Sequence, residues 1–224
     1  MIRSFLMTLA ALTALSPRPA EAGPWLREKG SGFTALTFGA TQFSETTNAL
    51  YFEYGLTENT TVGLDVSAFT NSLNVRNGFG NLFLRRAIGP TDGPMRMAYE
   101  VGLGGLWGNE RQLPTLTTGV SWGQGFEMTG RPGWISATGS FVYEPTLGQH
   151  ITRLDGTLGL DFGKVVTGLV ETTLSYQNDD SFGAVEPAVL IRPADSAFRI
   201  RIGAQIPFSE QQKTALKLGI WHSF

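Results

Sequence analysis

The chain is built from stretches of about ten residues in which large apolar side chains alternate with polar or small ones. In residues 49–56, for example, Leu50, Phe52 and Tyr54 share one side of an extended chain. About twelve such stretches follow one another, separated by clusters of Gly, Pro, Asn, Asp or Thr. No segment shows a sustained helical period of 3.6 residues. The pattern predicts an all-β protein made of consecutive antiparallel strands.

Charged residues occupy the positions between the large apolar ones. Asp65, for example, stands between Leu64 and Val66. An Arg or Lys on the lipid side of a membrane strand costs about 2–4 kcal/mol at the bilayer midplane, so a strand that crosses a membrane keeps its charges inside. Fourteen charged residues have this inward parity and are predicted to face the lumen: Glu53, Asp65, Arg85, Arg96, Glu100, Arg153, Asp155, Asp161, Glu171, Glu186, Arg192, Arg199, Arg201 and Lys217.

Strand length and composition favour a membrane barrel over a soluble sandwich. The stretches approach the roughly 9–11 residues that a strand needs to cross a bilayer, whereas strands of soluble proteins average about five or six. Only 16% of the residues are charged, against about 25% in soluble domains. We therefore predict a transmembrane antiparallel up-and-down β-barrel of about 12 strands, with 10 or 14 as alternatives.

The first 22 residues have the layout of an export signal. Arg3 precedes an apolar run over residues 5–15, and Ala20-Glu21-Ala22 provides a small-residue cleavage site. The apolar run is too short for a transmembrane helix, which needs about 20 residues. We expect a cleaved signal peptide over residues 1–22, followed by a single barrel over residues 23–224.

The last nine residues form one more alternating stretch that stops on an aromatic residue. This ending resembles the closing strand of Gram-negative outer-membrane barrels, in which the terminal aromatic is part of a signal read by the barrel-assembly machinery. The resemblance implies an outer-membrane location, with contacts to membrane lipid and lipopolysaccharide. It also assigns an assembly-signal role to Leu216, Leu218, Ile220 and Phe224.

A second resemblance rests on residues 50–64. The turn Tyr54-Gly-Leu-Thr57, followed by Val62-Gly-Leu64, is similar to a hairpin of the transporter-like family associated with the phenol-degradation meta pathway. The match covers about 15 residues and implies a transport-related outer-membrane barrel.

The sequence does not support catalysis, a cofactor or a metal site. His222 adjoins Ser223, but neighbouring strand residues face opposite sides and cannot pair as base and nucleophile. His150 lies in a predicted loop without a recognisable partner motif. The absence of cysteine excludes thiol chemistry and disulfides, and a net charge of −2 argues against a nucleic-acid partner.

The predicted lumen leaves two functions open. Seven basic residues face seven acidic ones, and a barrel of about twelve strands lies between the filled eight-stranded type and the open porins of sixteen or more. We expect a passive channel for ions or small solutes, with Arg192, Arg199 and Arg201 forming a wall that attracts anions. The alternative is a closed structural or surface-interaction barrel that works through loops at residues 70–77, 107–114 and 207–213. A lipid-modifying enzyme is a third and weaker hypothesis.

Some positions fit the simple pattern less well. Arg85 and Arg86 are adjacent, so one of them must face outward near a strand end. Pro187 lies inside a predicted strand and implies a bulge or kink. Eight aromatic residues lie mostly near predicted strand ends, where they suit interfacial girdles, although a lumen or loop position stays open for some: Trp25, Tyr54, Trp107, Trp122, Trp134, Tyr143, Tyr176 and Trp221.

Overall fold

The computed structural model describes residues 24–91, 93–108, 111–177, 180–193 and 196–224. The predicted signal peptide, residues 1–22, lies outside these ranges. No helix within them is long and apolar enough to cross a membrane. A 3₁₀ helix, Gln211–Lys213, precedes the last strand. The strands are β1 Gly32–Thr41, β2 Thr46–Thr57, β3 Thr60–Thr70, β4 Arg76–Ala87, β5 Met95–Gly108, β6 Arg111–Met128, β7 Arg131–Glu144, β8 Gln149–Asp161, β9 Val166–Gln177, β10 Asp180–Ile191, β11 Phe198–Pro207 and β12 Ala215–Ser223.

The twelve strands form one closed antiparallel barrel. Each strand pairs with the strands before and after it in the chain, and β1 pairs with β12 to close the sheet. The closing register runs from Phe33 opposite Ser223 to Thr41 opposite Ala215. Because β1 pairs with β12, the described strands form a sheet without an unpaired edge. The predicted up-and-down barrel of about 12 strands is confirmed.

The start of β1 and the last residue after β12 lie side by side at one end of the barrel, which we call the terminal end. The backbone N–H of Gly32 donates to the carbonyl oxygen of Phe224 at 2.7 Å, and the Phe224 N–H donates back to Gly32 at 3.0 Å. The final residue is therefore held in the ladder and extends the pairing of β12 with β1.

The alternation along each strand separates an apolar outside from a polar inside. On β5, Leu103 is 66% exposed whereas Glu100 is buried. The same alternation occurs on β12, where Lys217 is buried and its neighbours Leu216 and Leu218 face outward. All four residues assigned to the assembly signal lie on the outer surface, with exposed fractions of 71% for Leu216, 56% for Leu218, 50% for Ile220 and 55% for Phe224.

The connections between strands are short at both ends of the barrel. At the end opposite to the terminal end, residues 71–75 join β3 to β4 and residues 208–214 join β11 to β12, close to two of the predicted loops. The third predicted loop, residues 107–114, is wrong. The pairing of β5 with β6 continues through residues 107–108 and 111–114, with Gly105 opposite Pro114 and Gly108 opposite Arg111. Pro114 and Arg111 suggested a loop, but both are exposed at positions where the strand continues.

Pro187 interrupts the pairing between β10 and β11. The paired residues on one side of the interruption end with Val185 opposite Ile206, and pairing begins again with Ala188 opposite Gly203. The register is the same on both sides of the interruption, so the proline produces a gap in the ladder rather than the expected bulge. A missing N–H at this position accounts for the lost pairing.

Candidate functional site

The interior of the barrel contains most of the charged residues predicted to face it, and all fourteen of those residues are described. Five are half-buried, namely Arg96, Asp155, Asp161, Arg192 and Arg199. The other nine are buried: Glu53, Asp65, Arg85, Glu100, Arg153, Glu171, Glu186, Arg201 and Lys217. Arg86, the neighbour of Arg85, is exposed on the outside near the terminal end.

Four of the buried residues form what we call the β9–β12 charge cluster: Glu171, Glu186, Arg201 and Lys217. The Arg201 guanidinium pairs with Glu171 and places Nη1 2.5 Å from Oε1 of Glu186. Lys217 Nζ donates to Oε2 of Glu186 at 2.8 Å. Two acids and two bases from four neighbouring strands thus neutralise one another inside the barrel.

A second group, the β2–β5 charge cluster, consists of Tyr51, Glu53, Arg85 and Glu100. Arg85 donates to Glu100 through Nη2 at 2.7 Å and also pairs with Glu53. The Tyr51 hydroxyl donates to Oε1 of Glu53 at 2.6 Å. Glu53 lies on β2 and Arg85 on β4, so their ion pair spans β3. The residue of β3 at this level is Gly63, which lies opposite Glu53 on one side and Phe83 on the other.

Smaller polar contacts occupy the wall between the two clusters. Arg153 Nε donates to Asp155 at 2.8 Å, and the Thr173 hydroxyl donates to the same carboxylate at 2.7 Å. Asp161 accepts a hydrogen bond from Thr167. Both carboxylates thus accept hydrogen bonds from threonine hydroxyls directly opposite on β9, and Asp155 also pairs with Arg153 of its own strand.

The extent of burial shows that the interior is closed at the level of the clusters. Glu53 and Arg201 have no exposed surface, and Lys217 is 1% exposed. Desolvation of a charge is strongly unfavourable unless it is paired and hydrogen-bonded. Both clusters meet the pairing part of that requirement, whereas Arg201 Nε and Glu171 Oε1 are buried without a hydrogen-bond partner among the described residues.

Apolar side chains also fill the interior, which the alternation did not predict. Phe33 and Trp221 are 1% and 2% exposed, and their rings meet edge to face at 5.7 Å. They belong to a cluster that also takes residues from β2, β4, β9 and β10, with Trp134 of β7 packed against it. Trp134 and Trp221 are therefore interior residues and not girdle aromatics. Both residues have the inward parity in the sequence, but their positions near strand ends favoured their assignment to the interfacial girdles.

Residues 24–31, which we call the N-terminal segment, enter the barrel at the terminal end, with Pro24 buried and residues 28–30 exposed. Arg27 fixes the segment there: its Nε donates to Glu53 at 2.7 Å and its backbone N–H donates to the Thr61 hydroxyl at 3.0 Å. The Arg27 guanidinium also lies 4.4 Å from the centre of the Phe33 ring. Further on, Gly30 N–H donates to the Gly55 carbonyl at 2.9 Å.

The start of the N-terminal segment reaches β6, across the barrel from β1. A Cβ atom at Gly123 would overlap the ring of Trp25 and the ring of Pro24, so both rings lie directly against the backbone of β6. The segment thus spans the terminal end from β1 and β2 to β6. Sequence reasoning missed it because residues 24–31 do not alternate.

Comparison with solved structures identifies the architecture. The chain resembles the NanC porin with a TM-score of 0.59 at 11% identity, covering 85% of this chain and 98% of that one. It resembles the KdgM porin with a TM-score of 0.56 at 10% identity, covering 86% and 99%. LpxR from Salmonella typhimurium has a TM-score of 0.56 at 9% identity, covering 85% and 99%.

This chain has the fold of an outer-membrane β-barrel. No protein-family model matches the chain, and no curated protein matches its sequence. The resemblance of residues 50–64 to the meta-pathway transporter-like family therefore gains no support from sequence comparison.

The two histidines of the barrel stack on phenyl rings. His222 lies 4.3 Å from Phe198 and 5.4 Å from Phe224, measured between ring centres. His150 stacks on Phe141 at 5.3 Å. Across the described ranges, no group of His, Asp and Glu side chains is arranged to hold a metal ion.

Proposed function

We propose that this barrel is a porin-like passive channel for ions or small solutes, and that the conformation described here is its closed form. The observation that carries the proposal is a closed twelve-stranded barrel with an apolar exterior and an interior lined by charges and hydroxyl groups. An outer-membrane channel needs this separation, because lipid contacts one face and solute the other. Two of the similar folds belong to proteins named as porins, which supports the same role.

The wall formed by β6 and β7 is where we expect solutes to pass. Its middle part presents small hydroxyls inward, namely Thr115, Thr117, Ser121, Ser136, Thr138 and Ser140, whereas Trp134, Leu113 and Val142 face inward nearer its two ends. The charge clusters project from β2–β5 and β9–β12 instead. Small side chains fill less of a lumen than arginine or lysine, so a modest movement of the clusters opens a path along this wall.

The N-terminal segment supplies the closure at the terminal end. It crosses the mouth between β1 and β6, and its contacts include the Arg27–Glu53 ion pair, backbone hydrogen bonds to Thr61 and Gly55, and the packing of Trp25 against β6. We infer that its release from β6 is a step in opening, since the segment crosses this end of the barrel and narrows it.

The cellular setting follows from the same proposal. We place the barrel in the outer membrane of a Gram-negative bacterium, exported by residues 1–22 and surrounded by lipid and lipopolysaccharide. The terminal end faces the periplasm, because both ends of an even-stranded barrel lie there. The outward residues of β12 and Phe224 are available to the assembly machinery.

The direct test is conductance of the refolded mature protein in a planar bilayer. We expect reproducible single-channel steps. Thr117→Trp, which fills the hydroxyl wall, should reduce the step size at least twofold, whereas Thr118→Trp on the outer face should leave it unchanged. Steps that do not respond to Thr117→Trp would place the path elsewhere in the barrel.

A closed structural barrel is the second candidate, favoured by the complete burial of Glu53 and Arg201. A correctly folded barrel that never conducts, with or without Arg27, would establish it and refute the channel. Surface interaction would then depend on the short loops at the end opposite to the terminal end.

The outer surface provides a test of membrane insertion that does not depend on conduction. Leu103→Arg places a charge in the middle of β5 on the outer face, and we expect it to lower the free energy of unfolding from lipid by about 2–4 kcal/mol. The control is Leu73→Arg, because Leu73 is 81% exposed in the connection between β3 and β4. Denaturant titration in vesicles measures both. Equal effects would contradict the lipid-facing assignment of β5.

A further inference from the structure

Three polar side chains without partners face the interior of the barrel on the two sides of β5. Asn81 of β4 lies opposite Gly104, and Gly104 lies opposite Thr115 of β6. Thr117 lies opposite Gly102 in the same strand pair. All three side chains are buried, and Oδ1 of Asn81 and the hydroxyls of Thr115 and Thr117 have no hydrogen-bond partner among the described residues. We call these three residues and the two glycines the β4–β6 polar patch.

The two glycines leave β5 without side chains at the centre of the patch. Gly102 and Gly104 are half-buried and have the inward parity. A Cβ atom at Gly102 would overlap the side-chain amide of Asn81, so that amide lies over β5, between β4 and the threonines of β6. Thr115 and Thr117 also belong to the hydroxyl wall of β6 and β7. The β4–β6 polar patch therefore continues the proposed solute path around the barrel.

The charged side chains that border the patch are already engaged by other groups. Glu100, on the inward face of β5, pairs with Arg85 at 2.7 Å. Glu144, at the end of β7, accepts hydrogen bonds from the backbone N–H groups of Thr146 at 2.6 Å and Leu147 at 2.7 Å. The patch itself offers amide and hydroxyl groups, which donate and accept hydrogen bonds without carrying a charge.

We propose that the β4–β6 polar patch binds a small uncharged polyol as this solute passes through the channel. Such a site deepens the proposed function and rests on it, because opening is what exposes the buried polar atoms of the patch to solute. A buried polar group without a partner is unfavourable, so a solute that both donates and accepts hydrogen bonds is favoured there. The hydroxyl groups of a polyol do both. A charged solute would lose hydration without gaining an opposite charge from the patch.

The spacing within the patch sets the size of the solute. Thr115 and Thr117 are about 7 Å apart along β6, from the rise of an extended strand, and Asn81 lies two strands away, about 10 Å across the sheet. One small polyol reaches both sides of the two glycines, whereas a single water molecule contacts only one side.

Osmotic swelling of vesicles that contain the refolded mature barrel tests the site, with xylitol as the probe. Glutamine is the comparison solute, because it has nearly the same size and no net charge but carries an ammonium and a carboxylate group. We expect xylitol to enter at least about fivefold faster than glutamine. Equal rates of entry would overturn the polyol site.

Two nearly isosteric substitutions locate the interaction. Thr117→Val removes one hydroxyl and Asn81→Leu removes the amide, and each should slow xylitol entry at least about threefold. Ion conductance in a planar bilayer should change by less than about twofold in either variant, because the side-chain volumes are retained. Thr118→Val, on the outer face of β6, is the control and should change neither quantity. Full xylitol entry in both patch variants would also overturn the site.

Conductance and swelling together separate the polyol site from the channel. A barrel that conducts ions but admits xylitol and glutamine equally retains the channel and refutes the site. A folded barrel that neither conducts ions nor admits xylitol refutes the channel, and the polyol site with it.

Discussion

Replacing Arg201 by methionine is expected to lower the free energy of unfolding of the barrel by about 3–5 kcal/mol. Arg201 has no exposed surface and pairs with both Glu171 and Glu186. Its removal leaves two buried carboxylates opposite one ammonium group, that of Lys217. Removing one partner of a buried pair is costly because the remaining charge stays desolvated. Denaturant unfolding of the refolded protein, followed by tryptophan fluorescence, measures the loss.

A second substitution separates charge imbalance from lost packing. The double variant Arg201→Met with Glu171→Gln restores one acid to one base and should recover most of the stability. Arg86→Met, on the exposed outer face, is the matched control. A loss below about 1 kcal/mol for Arg201→Met would mean that water reaches the β9–β12 charge cluster, and the closed conformation would then be wrong.

Arg27→Ala is expected to raise the open fraction of the channel about tenfold or more. The Arg27–Glu53 hydrogen bond is charge-assisted, and such bonds contribute about 1.5–3 kcal/mol. Since 1.4 kcal/mol is a factor of ten in an equilibrium, its loss favours release of the N-terminal segment. Single-channel recording of open probability is the measurement.

The fold should tolerate Arg27→Ala, because Glu53 keeps its pairs with Arg85 and Tyr51. Gly123→Ala tests the other end of the N-terminal segment, since the added Cβ displaces Trp25 from β6, and it should raise the open probability as well. Lys213→Ala, at the opposite end of the barrel, should not. A conducting barrel in which neither Arg27→Ala nor Gly123→Ala changes gating would exclude the segment as the closing element.

Much of the barrel could be predicted because the membrane imposes a simple rule on every strand. The cost of a charge in lipid forces residues such as Asp65 and Glu100 to take the parity opposite to Leu64 and Val101. Period-2 alternation then places them on the inside whatever the strand pairing. The number and order of strands follow from the same alternation and from the turns between strands.

The partners of those charges could not be predicted, because they depend on register and on which side chains reach past a strand. Arg85 meets Glu53 across β3, at a place where Gly63 supplies no side chain. The N-terminal segment was missed for a different reason. Arg27 is held by individual contacts rather than by a repeating pattern, and periodicity detects only what repeats.

The hydrogen bonds between Gly32 and Phe224 close the sheet and bring the two ends of the strand sequence together. The chain could therefore start at another connection and still form the same barrel. A circular permutant that joins residue 224 to residue 32 through a short added turn and starts within residues 71–75 keeps every strand pair of the sheet. It also omits residues 24–31 altogether. The continuity of the wall and the segment that crosses its mouth thus belong to separate parts of the chain, so a barrel without residues 24–31 can be made from the same twelve strands.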